Sequence, residues 1–140
     1  MMNRLGYFRL FADILMPKFK ILQDNEGTEY VIWENASSFE DLSFIPDKTA
    51  FEAQENHIHL VDNIKKEEFE TLCNIAQIIC NHMLLKLKDS FPSKNFVVYV
   101  SVHIRDSMIL RFHQVWEDEE EYYSVNDFNT NKERVFRVSG

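Results

Sequence analysis

The sequence predicts an α+β fold: an antiparallel sheet of about four to six strands, one long central helix packed on one face of it, and a shorter N-terminal helix. Three observations carry this reading. Phe69, Leu72, Cys73, Ala76, Ile79, Cys80, Met83 and Leu87 recur at helical spacing. Two apolar runs, Phe96 to Ile104 and Met108 to Trp116, alternate with the period of a strand across a short polar break. A chain of 140 residues with 45% apolar and 14% aromatic content holds enough side chain to fill one core. Residues 1–140 are therefore expected to form a single globular domain, with a polar tail that frays after about residue 125.

Taken in order, residues 3–16 carry Leu5, Phe8, Phe11 or Ala12, and Leu15 at helical spacing, and Tyr7, Leu10 and Ile14 widen the stripe. This predicts an amphipathic helix docked on the core and ended by Pro17. A strand over part of it and a membrane-surface helix are the alternatives. The polar face, with only Arg4, Arg9 and Asp13, is short for the latter. No small-residue cleavage site follows, and no segment reaches the ~18 apolar residues of a membrane span.

Lys18–Leu22 and Thr28–Glu34 read as a hairpin in which Gly27 takes the left-handed conformation at the turn. Tyr30 to Trp33 is apolar on both sides, so this strand is expected to be covered on both faces. Ser38 with Asp41 predicts one helical turn over Phe39–Leu42, and Pro46-Asp47 a turn. Thr49–Ala53 and His57–Val61 are read as short strands.

A long helix is predicted over about Ile64–Ser90, capped by Asp62 or Asn63 and stopped by Pro92. Acids at Glu67 and Glu68 and bases at Lys86 and Lys88 match its macrodipole. Ile75, Ile78 and Leu85 lie outside its main stripe, which predicts packing from more than one side, between the sheet and the N-terminal segment. Cys73 and Cys80 stand two turns apart, roughly 10 Å, too far for a disulfide. That agrees with a reducing, cytoplasmic setting.

In the two long strands, a three-residue loop Arg105-Asp106-Ser107 sets Ile104 opposite Met108, Val102 opposite Leu110, Val100 opposite Phe112 and Phe96 opposite Trp116. A one-residue slip would scatter the large apolar side chains over both faces. This register needs Asp106 or Ser107 in a conformation usually given to glycine. After Tyr123, Val125 and Phe128 are candidate anchors and Arg134–Val138 a candidate edge strand.

Chemistry is harder to read. There is no nucleophile elbow, His-Glu-x-x-His or Cys-x-x-Cys motif, and with three glycines in all, a phosphate-cradling loop is close to excluded. Tyr99, Ser101, His103, Arg111 and His113 share the face opposite the apolar one. They form either a solvated row or a site in which Arg111 binds an anion while a histidine moves protons. His57 and His59, two apart on a strand, have the spacing of two metal ligands, but nothing supplies the others, and no metal or cofactor is expected. His82 is expected on the exposed side of the long helix.

The most distinctive charge feature is Glu117, Asp118, Glu119, Glu120 and Glu121, framed by Trp116, Tyr122 and Tyr123 and extended by Asp127. It reads either as a solvated loop or as a recognition surface, with carboxylates for steering and aromatics for anchors. A net charge of −8 disfavours nucleic acid and membrane as main partners and favours a basic protein. The expected function is therefore a small acidic protein-binding module that neutralises or escorts a basic partner. Its most concrete version is a bacterial immunity protein blocking a toxin. The alternatives are a small hydrolase-type enzyme using His103, Arg111 and His113, and a structural or assembly subunit that self-associates through exposed aromatics.

Overall fold

The computed structural model describes residues 4–36, 42, 45, 47–124 and 128–140. The fold is α+β. Helix α1 (Arg4–Leu15) precedes a hairpin of β1 (Phe19–Gln23) and β2 (Glu29–Trp33), then helix α2 (Lys48–Glu55) and strand β3 (His57–Val61). Helix α3 (Phe69–Ser90) follows, then β4 (Phe96–His103), β5 (Met108–Gln114) and β6 (Glu133–Ser139). The strands make two antiparallel sheets, one of β1 and β2 and one in the order β3-β5-β4-β6. Among the described residues, no helix is long and apolar enough to cross a membrane. The helical turn expected at Phe39–Leu42, with its Ser38 and Asp41 box, falls mainly outside the described residues, as do Pro46, Val125 and Asp127.

The first hairpin closes as its residues dictate. Gly27 sits at φ 87°, where a side chain would be strained. Asp24 Oδ1 accepts from the amides of Glu26 and Thr28, both at 2.9 Å, so the turn carries its own acceptor. Tyr30, Val31 and Ile32 are all buried, and β2 is covered on both faces as its composition predicts.

Thr49–Ala53 is helical, not a strand. Asp47 accepts from the Ala50 amide at 2.9 Å as N-cap, and the buried residues Thr49, Glu52 and Ala53 follow a helical period that continues to Asn56. The alternating look of Thr49, Phe51 and Ala53 is a false strand signal in a run rich in helix formers. His57–Val61 is the expected strand.

The long helix starts at Phe69, after one 3-10 turn over Lys66–Glu68, rather than at Ile64. Asn63, at φ 55°, and the extended Lys65 keep the chain out of helix until the Glu68 carboxylate receives the Lys65 amide at 2.8 Å. Ile64 is buried and works as a clamp: its amide donates to Asp106 O (3.0 Å) and its carbonyl accepts from Arg105 N (2.8 Å).

The α3 stripe of Phe69, Cys73, Ala76, Cys80, Met83 and Leu87 is buried on the sheet, against Val98, Val100, Val102, Leu110 and Phe112. Burial raises both thiols, Cys80 to about 12. The expected clamping from a second side is corrected. α1 contributes no fully buried residue and leans on the core only through Leu10 and Ile14. Ile75, Ile78 and Leu85 are left exposed. His82, half-buried, has Nε2 2.9 Å from Leu15 O and ties the end of α1 to α3.

The register of β4 and β5 keeps the expected parity but is shifted by two residues. Val102 faces Met108, Val100 faces Leu110, Val98 faces Phe112 and Phe96 faces Gln114. The connection is longer than three residues because its backbone is satisfied from outside the hairpin, by Ile64 and by Lys132 O, which receives the Ile104 amide at 2.8 Å. Arg105, at φ 68°, takes the left-handed position expected at Asp106 or Ser107. The expected fraying of the C-terminal residues is also corrected. β6 pairs with β4 along its whole length, and the Gly140 backbone exchanges two hydrogen bonds with Phe96, at 2.7 and 3.1 Å.

Candidate partner-binding surface

The second face of the larger sheet is not a solvated row. Val97, Tyr99 and Val135 are buried beneath Tyr122, Tyr123 and Phe128, so the acidic-aromatic segment folds back as a lid on this face. The Tyr123 ring stands edge-on to Tyr99 (5.1 Å) and to Phe128 (5.1 Å).

Under the lid, Tyr99 and His113 form a closed pair. The register expected from the sequence would set Tyr99 beside His113 and Ser101 beside Arg111; across the actual ladder Tyr99 faces Arg111, Val97 faces His113 and Ser101 faces Ile109, so Tyr99 and His113 meet diagonally. His113 Nδ1 lies 2.7 Å from Gln114 O, an atom that only accepts, so Nδ1 carries the proton. Nε2 then accepts from the Tyr99 hydroxyl (3.0 Å) and the Tyr122 amide (3.3 Å). Burial lowers the His113 pKa and raises that of Tyr99 to about 12, so both are neutral near pH 7.

Arg111 lies under the same lid, and His103 lies away from it. Arg111 Nη1 donates to Ala53 O (2.9 Å) and its guanidinium lies over the Tyr122 ring (5.4 Å). His103 sits at the far end of β4, half-buried, with Nδ1 2.8 Å from Ile104 O, on a cavity lined by Lys66, Arg105, Asp106 and Lys132. Arg111 and His113 thus lie together under Tyr122, while His103 stands apart at the far end of β4. His57 and His59 do share a strand face, their ring centroids 5.6 Å apart, with Nδ1 atoms engaged by Gln54 O and Asp62.

A second arrangement centres on α2. Glu52, fully buried on α2, accepts four hydrogen bonds: Oε1 from Gln114 N and Trp116 Nε1, both 2.8 Å, and Oε2 from Val31 N (2.9 Å) and Gln114 Nε2 (2.8 Å). One turn on, Asn56 Oδ1 accepts from Trp33 N (2.8 Å), and Nδ2 donates to Val31 O (2.9 Å) and Phe112 O (3.3 Å). Side chains of α2 therefore take the place of a strand between the edges of β2 and β5. Sequence reasoning missed both residues. Their only visible signal is a carboxylate and an amide one turn apart in a short helix.

Trp116 is half-buried, its indole committed to Glu52, its ring tilted on Tyr30 (5.7 Å) and beneath the Lys48 ammonium (5.2 Å). Glu119 caps α2, accepting from Lys48 N (3.0 Å), Thr49 N (2.7 Å) and Thr49 Oγ1 (2.7 Å). Burial acts to raise its carboxyl, but these donors outweigh it and the pKa is lowered. Glu121 pairs with Arg137. Glu117, Asp118 and Glu120 face solvent. Asp118 and Glu120, with Asp47, rim a concavity of about 490 Å³ floored by Thr49, Ala50 and Glu119. Trp116, Tyr122 and Tyr123 are thus turned toward the chain's own core, and the acids Glu117, Asp118 and Glu120 outward.

The model of the Uncharacterized protein PM0498 family matches residues 20–139 of this chain, which takes in β2 to β6, all of β1 but its first residue, and the whole of this surface. No curated protein and no solved structure matches it.

Proposed function

The chain belongs to the Uncharacterized protein PM0498 family, and from that premise we propose that it is a small protein-binding module whose acidic rim receives a basic protein partner, most concretely a bacterial immunity protein that neutralises a toxin. The observation that carries this reading is the division of labour in residues 116–123. The aromatics and Glu119 hold the segment against α2 and the sheet. Asp47, Asp118 and Glu120 are thereby presented from a braced surface around one concavity. Because the backbone of the segment is already held, less chain has to be ordered when these carboxylates meet lysine or arginine, and the net charge of −8 speeds the encounter.

The test is titration of the immobilised chain with purified basic toxins, nucleases first, at low and at moderate salt. The expected result is saturable binding to one of them that weakens with salt, and about a tenfold loss in the double variant Asp118→Lys, Glu120→Lys, whose fold is preserved because neither side chain is buried. Absence of any binder, or binding indifferent to the charge reversal, removes the proposal.

A further inference from the structure

α1 does not use its apolar residues in the way its sequence leads one to expect. Leu10 and Ile14 turn inward, whereas Leu5, Phe8 and Phe11 are 77%, 71% and 63% exposed. Of the exposed large hydrophobics among the described residues, all but Ile21 and Val115 lie on α1, on Met16 just after it, or on the outward side of α3. The two helices are joined by an apolar groove of about 450 Å³ lined in part by Tyr7, Phe11, Leu15, Ile75 and Ile78.

We propose that the outer face of α1 and the adjoining side of α3 form the interface of a two-fold dimer of this chain, with the two α1 helices packed antiparallel. The first support is area. At roughly 200 Å² for a fully exposed large side chain, the exposed parts of these residues amount to on the order of 1,000 Å². That exceeds the roughly 300–600 Å² of a typical monomer's largest apolar patch. It matches the ~800 Å² per partner of a standard interface.

The second support is charge. α1 has no acid in its first turn and no base in its last. Instead Arg4 stands at the positive end of its own helix dipole, where it is unfavourable. A two-fold axis between Arg9 and Leu10 brings Arg4 to the last turn of the opposite helix, where the dipole is negative. The same axis sets Phe8 against the partner's Phe11, so the apolar stripe complements itself, as an isologous contact requires. A second copy fits this face better than a lipid surface does. The net charge of −8 repels anionic headgroups, and a flat bilayer does not fill a groove between two helices.

Sedimentation equilibrium of the full chain, from roughly 1 μM to several hundred μM, tests this. The expected result is a mass of twice 16.7 kDa at the top of the range, falling toward one chain on dilution. Phe8→Glu with Phe11→Glu is expected to give a monomer with unchanged far-ultraviolet circular dichroism. Should that variant unfold, Ile78→Arg, at a position 68% exposed on α3, reads the same interface from the other helix. Arg4→Glu supplies the missing acid to the first turn of α1 and is expected to weaken association about tenfold without loss of helix. A monomer throughout the range, association untouched by these substitutions, or a monomer that instead floats with phosphatidylcholine vesicles overturns the proposal.

Discussion

Glu52→Gln is expected to lower the free energy of unfolding by about 3 kcal/mol at a pH of about 8, where the wild-type carboxyl is ionised, measured by urea denaturation. Size and shape are conserved by this change, so the cost is chemical. Each carboxyl oxygen receives two N–H donors, and Gln114 Nε2 is turned toward Glu52 by its other bond, to Glu29 O at 2.9 Å. A glutamine places its own NH₂ against two of these donors and leaves them buried without an acceptor. Burial raises the Glu52 pKa from 4.5 to about 7, with the donors acting in the opposite direction. Between those pH values the folded chain keeps a proton that the unfolded chain has released, so the contribution of Glu52 is full below 4.5 and is lost as the pH rises through about 7. The gap between the wild-type chain and Glu52→Gln is therefore expected to narrow over that window. A gap that stays level over that window would mean that the carboxyl is ionised throughout.

Phe112→Ala is expected to cost about 4 kcal/mol, a large fraction of the stability of a domain of this size. The ring is fully buried on β5, in the cluster under α3, and meets Phe19 edge-on at 5.6 Å and 88°. It is one of the points, with Val31, where the small hairpin and the larger sheet share a core. Removing it leaves a cavity bounded by elements of both sheets, which rigid strands cannot collapse to fill. Phe112→Leu keeps most of the volume and is expected to cost less than half as much. Equal unfolding midpoints for the two variants would show that this ring does not join the sheets.

Periodicity made the fold class legible. The α3 stripe, the alternation of β4 and β5, the Gly27 hairpin and the Arg134–Val138 strand are local patterns, and local patterns survive in a bare sequence. What could not be read depends on groups distant along the chain. The β4–β5 connection could not be sized because Ile64 and Lys132 bind its backbone. α2 looked like a strand because one of its caps, Glu119, comes from beyond β5. For the surface, composition marked residues 116–123 correctly as unusual, but orientation decides what an aromatic does. Trp116 looks like an anchor for a partner until its indole is seen to donate to Glu52. The outward turn of Phe8 and Phe11 was hidden for the converse reason: a helix apolar over most of its girth does not reveal which side meets the core.

The pairing of Glu52 and Asn56 with two strand edges also bears on how the molecule opens. The amides of Val31, Trp33 and Gln114 come from two different sheets, yet each is held by a side chain of one short helix segment. Deuterium can reach any of them only when that segment lifts away. Their exchange rates should move together and track the undocking of α2 rather than the fraying of either sheet, which makes these amides reporters of a single cooperative unit spanning both.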